Sequence, residues 1–220
     1  MSGKKRIFIS SVQKELAAER RALKDYIQGD PFLGRFFDVF LFEDLPASGR
    51  RADQVYLAEV DRCNIYLGLF GNEYGYEDKE GLSPTEREFD RATTAAKERL
   101  VFVKGDDTAR NPKMLALVRK AGNQVIRRRF NSAPELTALV YSSLVEYLTN
   151  AGVIRTRPFD AAACPEATLS DLSRKQLSEF LARAQAERGY PLGPSTPTQK
   201  ALAHLNLLDG GQPSHAAILL

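Results

Sequence analysis

Apolar positions along the chain fall into two alternating textures. Five short runs rich in β-branched and aromatic residues read as strands: KRIFIS (about 5–10), FFDVFLF (about 36–42), CNIYLGLF (about 63–70), RLVFVK (about 99–104) and QVIRRRF (about 124–130). Between them lie stretches with helical spacing. VQKELAAERRALKDYIQ places Leu16, Leu23 and Ile27 near one face, and ADQVYLAEVDR, SPTEREFDRATTAAK, PKMLALVRKA and SAPELTALVYSSLVEYLTNA follow in turn. Strand and helix alternating five times predict an α/β domain over residues 1–152, an open parallel five-stranded sheet with helices on both faces.

The texture changes after NAGVIRTRPFD. Residues 153–172 read as a linker containing Pro, Ala and Thr. Residues 173–220 read as a small helical appendage, the start of a further domain. Its first helix has a Ser173 cap and a stop at Gly189, its second is TPTQKALAHLNLL, and the terminal PSHAAILL reads as a strand. An apolar strand with a bare terminus is an odd stop, so the natural protein is expected to continue beyond Leu220.

Composition narrows the function classes. A chain of 220 residues with 43% hydrophobic content buries a real core. The 31 Lys and Arg against 28 Asp and Glu leave +3, too little for a surface that wraps nucleic acid, and no recognition helix or basic stripe stands out. Cys63 and Cys164 form no Cys-x-x-Cys pair, which argues against a zinc site or disulfide framework and for a reducing compartment. No run has signal-peptide character or membrane-spanning length, so a cytosolic protein with no membrane partner is expected. Cys63 reads as a core thiol, and the arginines of RRRF as guards of an edge strand.

Open parallel sheets bind ligands at the C-terminal ends of their strands, where the strand order reverses. In the order 2-1-3-4-5 that crevice lies between strands one and three, faced by ISSVQ, EDLPASGRR and FGNEYGYEDKEGLSPTERE. Ser10 and Ser11, where strand one passes into a helix, could hold a phosphate or ribose, or one of them could cap the helix. Gly71 and Gly75 suit close approach of a ligand to backbone, or simply a tight loop. Arg50 and Arg51 in GRRAD border the crevice as phosphate candidates, against a base expectation of solvated charge. Neither G-x-G-x-x-G nor a Walker-type lysine loop is present, which counts against a dinucleotide dehydrogenase and a P-loop NTPase.

GLSPTEREFDRA holds two glutamates two positions apart. Ser83 suits an N-cap and Pro84 the first helical position, and Glu86 stands where its carboxylate can reach back to the Ser83 N–H. Glu88 lies roughly 200° further around the helix, aligned with Thr85, Ala92 and Ala95 and beside a Phe89, Ala92, Ala96 stripe that should pack on the sheet. Capping accounts for Glu86 and leaves Glu88 either functional or an ordinary surface acid.

RIFISSVQKELAAER, LFEDLPAS, VYLAEVDRCNIYLGLFGNEYG and SPTEREFDRA together resemble a domain-of-unknown-function family related to Toll/interleukin-1 receptor (TIR) domains. The resemblance implies a flavodoxin-like, TIR-like fold in a signalling or defence protein. In catalytic TIR domains and the similar nucleoside deoxyribosyltransferases, an acid in an E-x-x-x-A setting acts on the ribose linked to a base. Glu88 with Ala92 matches that setting and Glu86 does not. By the same resemblance Ser10 or Ser11 is the implied first-strand hydroxyl and EDLPASGRR, with Asp44, Arg50 and Arg51, the implied loop after strand two, with NAD as substrate and no cofactor. Gly71 and Tyr74 join them as substrate-binding candidates only because the loop after strand three faces the crevice, and no metal is expected. The Trp-Cys element common in TIR domains is missing. A nucleotide ligand, self-association and the rest of the same chain are the implied partners, and nucleic acid is not. The tail resembles the lead-in to a GHKL-type ATPase-like region of bacterial transcriptional regulators. The competing reading is a non-catalytic interaction module that regulates that further part.

Overall fold

The computed structural model describes residues 3–47, 49, 51–154 and 158–220. The chain divides into two compact units, Met1–Glu146 and Tyr147–Leu220.

The first unit is an α/β domain built on a parallel sheet of β1 (Lys5–Ser10), β2 (Phe37–Phe40), β3 (Ile65–Phe70), β4 (Glu98–Lys104) and β5 (Arg127–Phe130), in the order β2-β1-β3-β4-β5. Its helices are α1 (Ala17–Gly29), the short α2 (Leu33–Phe36), α3 (Ala52–Arg62), α4 (Pro84–Thr94), α5 (Pro112–Gly122) and α6 (Ala133–Asn150), the last running on across the boundary between the units. Every residue of β3 is buried, as its continuous apolar run requires of a central strand.

Side chains alternate across the sheet and sort the helices onto its faces. Phe8, Phe40, Tyr66, Phe70, Val101 and Val103 point to the face that packs Tyr56 and Val60 of α3, Phe89 and Ala92 of α4, and Leu117 and Ala121 of α5. The alternate strand residues Ile7, Ile9, Leu67 and Phe102 are equally buried, and α1 brings Leu23 and Ile27, both fully buried, alongside β2.

Local differences from the sequence reading have physical causes. Neither Ser10 nor Ser11 caps α1, because residues 12–16 first make a turn and Leu16 becomes the N-cap. The fifth strand begins at Arg127, leaving Ile126 82% exposed. The apolar stripe of α4 ends at Ala92, because the helix stops at Thr94 and Ala96 takes a positive φ of 49° in solvent.

The second unit holds α7 (Arg174–Arg188), α8 (Thr198–His204), a two-residue antiparallel pair β6 (Leu208–Asp209) and β7 (Gln212–Pro213), and α9 (His215–Leu219). Ser173 caps α7 by accepting the Gln176 N–H, and Gly189 ends it in the left-handed region. The terminal run is a helix rather than the expected strand. The Ser214 hydroxyl accepts the Ala217 N–H, and an N-cap bond of that kind starts a helix whatever the apolar character of the residues that follow. Within the stretch read as a linker, Cys164 N–H donates to the Pro213 carbonyl and Ala162 accepts from His215. Among the described residues no helix is long and apolar enough to cross a membrane.

Candidate functional site

A cleft of about 1020 Å³ opens in the first unit at the C-terminal ends of β1 and β3, where the strand order reverses. The β1–α1 turn, the loop after β3 and the loop after β4 wall it, together with Phe42 after β2 and Ala52 and Tyr56 of α3.

These walls are fastened to one another. The Glu15 carboxylate accepts the N–H groups of Asn72 and Glu73, at 2.6 and 3.0 Å, tying the β1–α1 turn to the loop after β3. Gly71 permits this approach, since a Cβ there would overlap the Glu15 carboxylate. Arg110, 6% exposed, donates to the carbonyls of Gly71, Lys104 and Asp106, and so binds the loop after β3 to the one after β4. The Asn111 N–H adds a 2.8 Å bond to the Asn72 carbonyl.

Glu88 stands at the floor of the cleft, 7% exposed. Ser83 caps α4 by accepting the Glu86 N–H at 3.3 Å, Pro84 occupies the first helical position, and the helix turns Thr85, Glu88, Phe89 and Ala92 inward. Ser10, at the last position of β1, donates its hydroxyl to the Glu88 carboxylate. Burial pushes the Glu88 carboxyl up from its ordinary range to about 7, against the opposing effects of the Ser10 hydrogen bond and the Arg20 charge. It therefore titrates at neutral pH, where a proton can be held or released at small cost.

Arg20, on α1, lines the same cleft and is 2% exposed. Its guanidinium donates to both oxygens of Glu43, at 2.8 and 2.6 Å, to the Ile9 carbonyl at 3.0 Å and to the Ser11 hydroxyl at 3.1 Å. Phe8, Phe42, Tyr56, Tyr74 and the 80% exposed Tyr76 supply aromatic surface. An apolar, aromatic cleft with one buried carboxylate and two buried cations, Arg20 and Arg110, suits a ligand carrying a flat ring and hydroxyl groups.

The model of the domain of unknown function DUF4062 matches residues 6–145. The chain belongs to this family. Solved structures that resemble this DUF4062 chain include the following two. The CMP N-glycosidase BcmB of Clostridium botulinum aligns at a TM-score of 0.43 and 13% identity, over 66% of this chain and 100% of that one. A conserved protein from Enterococcus faecalis V583 aligns at 0.39 and 13%, over 64% and 99%. No curated protein matches the chain.

The DUF4062 fold brings Ser11, Tyr74 and Glu88 together in the lining of the cleft, while the buried Ser10 lies outside the lining and is joined to it through Glu88. The Tyr74 hydroxyl is engaged in the cap of α4, accepting the buried Ser83 N–H at 3.3 Å and donating to Glu86 at 2.6 Å. It occupies the place expected for the Glu86 carboxylate, which instead takes Tyr74 and, at 3.0 Å, Lys120. Asp44 pairs with Arg21 and Lys24, and Arg51, 75% exposed, pairs with Asp53; both lie outside the lining, as does Gly71. Arg50 lies outside the described residues. Cys63 is a core thiol whose Sγ–H donates to the Val60 carbonyl at 3.1 Å, with burial raising its pKa to about 11.

Arg20, Glu43 and Tyr66 escaped the sequence reading. Arg20 carried a signal: it follows Leu16 by four and precedes Leu23 by three, which puts a charged residue within an apolar stripe. Tyr66 sits in a continuous apolar run and is indistinguishable there from a core aromatic.

Proposed function

We propose that the DUF4062 domain binds a nucleotide in this cleft and cleaves its N-glycosidic bond, with Glu88 as the acting carboxylate, in a TIR-like signalling or defence protein. The observation that carries this reading is the buried Glu88 at the floor of an open cleft, hydrogen-bonded by Ser10. A scaffold would be expected to have a filled crevice and a solvent-facing Glu88. The E-x-x-x-A setting of Glu88 and Ala92, and the resemblance to NAD-cleaving TIR domains, support the nucleotide class and NAD within it.

The chemistry asks little of the chain beyond one carboxylate. As the bond from C1′ to the base nitrogen breaks, the base leaves with the bonding electrons and the ribose approaches an oxocarbenium ion. Ionised Glu88, itself largely out of water, stabilises that charge. A nicotinamide ring is cationic while attached and leaves neutral, so no acid is needed to protonate it. Water then adds to C1′ and yields its proton to Glu88. Because the carboxylate is the active form, the rate is expected to rise with pH through about 7.

Nicotinamide release from NAD at high protein concentration tests the reading, with wild type compared to Glu88→Gln and Glu86→Gln. The expected result is turnover in wild type and Glu86→Gln, and a loss of at least about a hundredfold in Glu88→Gln. Wild type that neither binds NAD nor releases nicotinamide would sink the proposal for NAD, and full turnover in Glu88→Gln would sink it for Glu88.

A further inference from the structure

Three buried side-chain polar atoms among the described residues lack a hydrogen-bond partner: Arg6 Nε, Glu59 Oε2 and Tyr66 Oη. The first two belong to residues that form an ion pair with each other, at 2.9 Å. Tyr66 is different, because its phenol sits fully buried beneath the cleft with no acceptor. A buried donor left unsatisfied destabilises a fold, so its position asks for a reason.

Strand register shows where this hydroxyl has been carried. β1 and β3 pair Phe8 with Tyr66, and Ser10 with Gly68. Gly68 has no side chain, and the Tyr66 ring leans along the strand into the space above it. A Cβ on Gly68 would lie 2.9 Å from Tyr66 Cε1 and 3.3 Å from Tyr66 Oη. The phenol therefore reaches from its own level, opposite Phe8, to the level of Ser10, whose hydroxyl donates to Glu88.

We propose that Tyr66 is a positioning residue for Glu88, its phenol donating to the Ser10 hydroxyl while Ser10 donates to the Glu88 carboxylate. This inference deepens the reading of Glu88 as the site's acting anion and rests on it. A serine hydroxyl has one proton to give and two lone pairs to receive. When Glu88 is a neutral acid, its own O–H can donate to Ser10 and nothing orients the serine proton. When Glu88 ionises, Ser10 must donate to it, and the lone pairs of Ser10 become the acceptor that Tyr66 lacks. Two donors aligned in series then spread the charge more effectively than either alone.

Four groups face Glu88 from the surrounding elements: Ser10 from β1, Tyr66 from β3, and the charge of Arg20 from α1, while the field of Glu88 also acts on Tyr56 of α3. On its own helix, Arg87 is taken up by Asp78 and Glu80. Arg20 is held in turn by Glu43. Tyr66→Phe removes one oxygen and leaves every other member in place.

The test is a carbon-13 NMR titration of the glutamate side-chain carboxyls in the full chain, with Glu88→Gln identifying the resonance. The relay is expected to raise the Glu88 midpoint in Tyr66→Phe by roughly half a pH unit to one unit, the size of one modest hydrogen bond. An unmoved midpoint, whether or not the variant melts higher, overturns it. In a Ser10→Ala background, adding Tyr66→Phe should move nothing further; a second shift of the same size would mean that Tyr66 acts without Ser10, and the relay is wrong. No substrate enters the measurement. A chain that shows the shift yet releases no nicotinamide keeps the relay and loses the glycosidase reading.

Discussion

Arg20 and Glu43 form a two-pronged ion pair beside the cleft, with Nε and Nη2 of the guanidinium 2.8 and 2.6 Å from the two carboxylate oxygens. The other guanidinium nitrogen holds the Ile9 carbonyl and the Ser11 hydroxyl, so one buried cation locks the end of β1 to the turn after β2. Glu43 is its counter-charge. Burial alone would raise the Glu43 carboxyl, but the Arg20 hydrogen bond and charge bring it below the ordinary value.

The first prediction follows from that lowering. A carboxyl whose folded pKa lies below its unfolded value stabilises the fold above the ordinary 4.5, and that contribution is lost as pH falls through the lowered value. Glu43→Gln is expected to lose this dependence below about pH 4.5 and to destabilise the domain at pH 7 by on the order of 2 kcal/mol. That is less than the roughly 3–5 kcal/mol of a fully buried pair, because the Glu43 side chain is 30% exposed. Chemical denaturation of both proteins at pH 7 and pH 4 checks it.

Glu88 predicts the opposite slope. Its folded pKa of about 7 lies above the ordinary 4.5, so the folded state binds more protons between those values, and stability falls as pH rises from about 4.5 to about 7. Glu88→Gln lacks this slope. At pH 8 it should be more stable than wild type by on the order of 2–3 kcal/mol, while it loses activity. Thermal unfolding at pH 5 and pH 8 decides the matter, and equal slopes in the two proteins would contradict it.

Tyr74→Phe should separate the cap of α4 from the chemistry. Removing the hydroxyl leaves the fully buried Ser83 N–H without its acceptor and Glu86 with Lys120 as its remaining side-chain donor. The expected loss is about 1–3 kcal/mol by urea denaturation. Glu86→Gln should cost less than that, because the backbone half of the cap, Ser83 accepting from Glu86 N–H, is untouched.

Gly71→Ala tests the fastening of the cleft walls. The new methyl would displace the Glu15 carboxylate from the Asn72 and Glu73 N–H groups. A destabilisation of about 1–3 kcal/mol is expected, together with faster amide exchange at Asn72 and Glu73. Unchanged exchange there would mean that Glu15 does not hold the loop.

The alternation of apolar runs and helical stripes was enough to specify the five-stranded parallel sheet, and the crevice at the ends of β1 and β3 followed only once the order 2-1-3-4-5 was assumed for it, the order the structure has. Burial periodicity is a local property, and a crossover connection leaves few ways to join parallel strands. Ser83 and Pro84 start α4 as the capping pattern predicts, but the Glu86 carboxylate does not close the cap: Tyr74 takes the Ser83 N–H in its place. The terminal PSHAAILL was misread because a short apolar run fits either period, and the Ser214 cap decided for a helix.

What the sequence by itself determined was which residues are apolar, which can cap and which carboxylate was left over. Tertiary structure alone decided which charges were taken out of water. Asp44 and Arg51 look like ligand residues in the chain but find partners elsewhere, while Arg20 looks like helix filler yet lines the cleft, and Tyr66 looks like core filler yet carries its hydroxyl to the level of Ser10. The physical reason is that a pKa or an unsatisfied hydroxyl is set by neighbours brought together across the sheet. Ser10 and Glu88, 78 residues apart, meet only because β1 and β3 are adjacent and α4 turns its fifth residue inward.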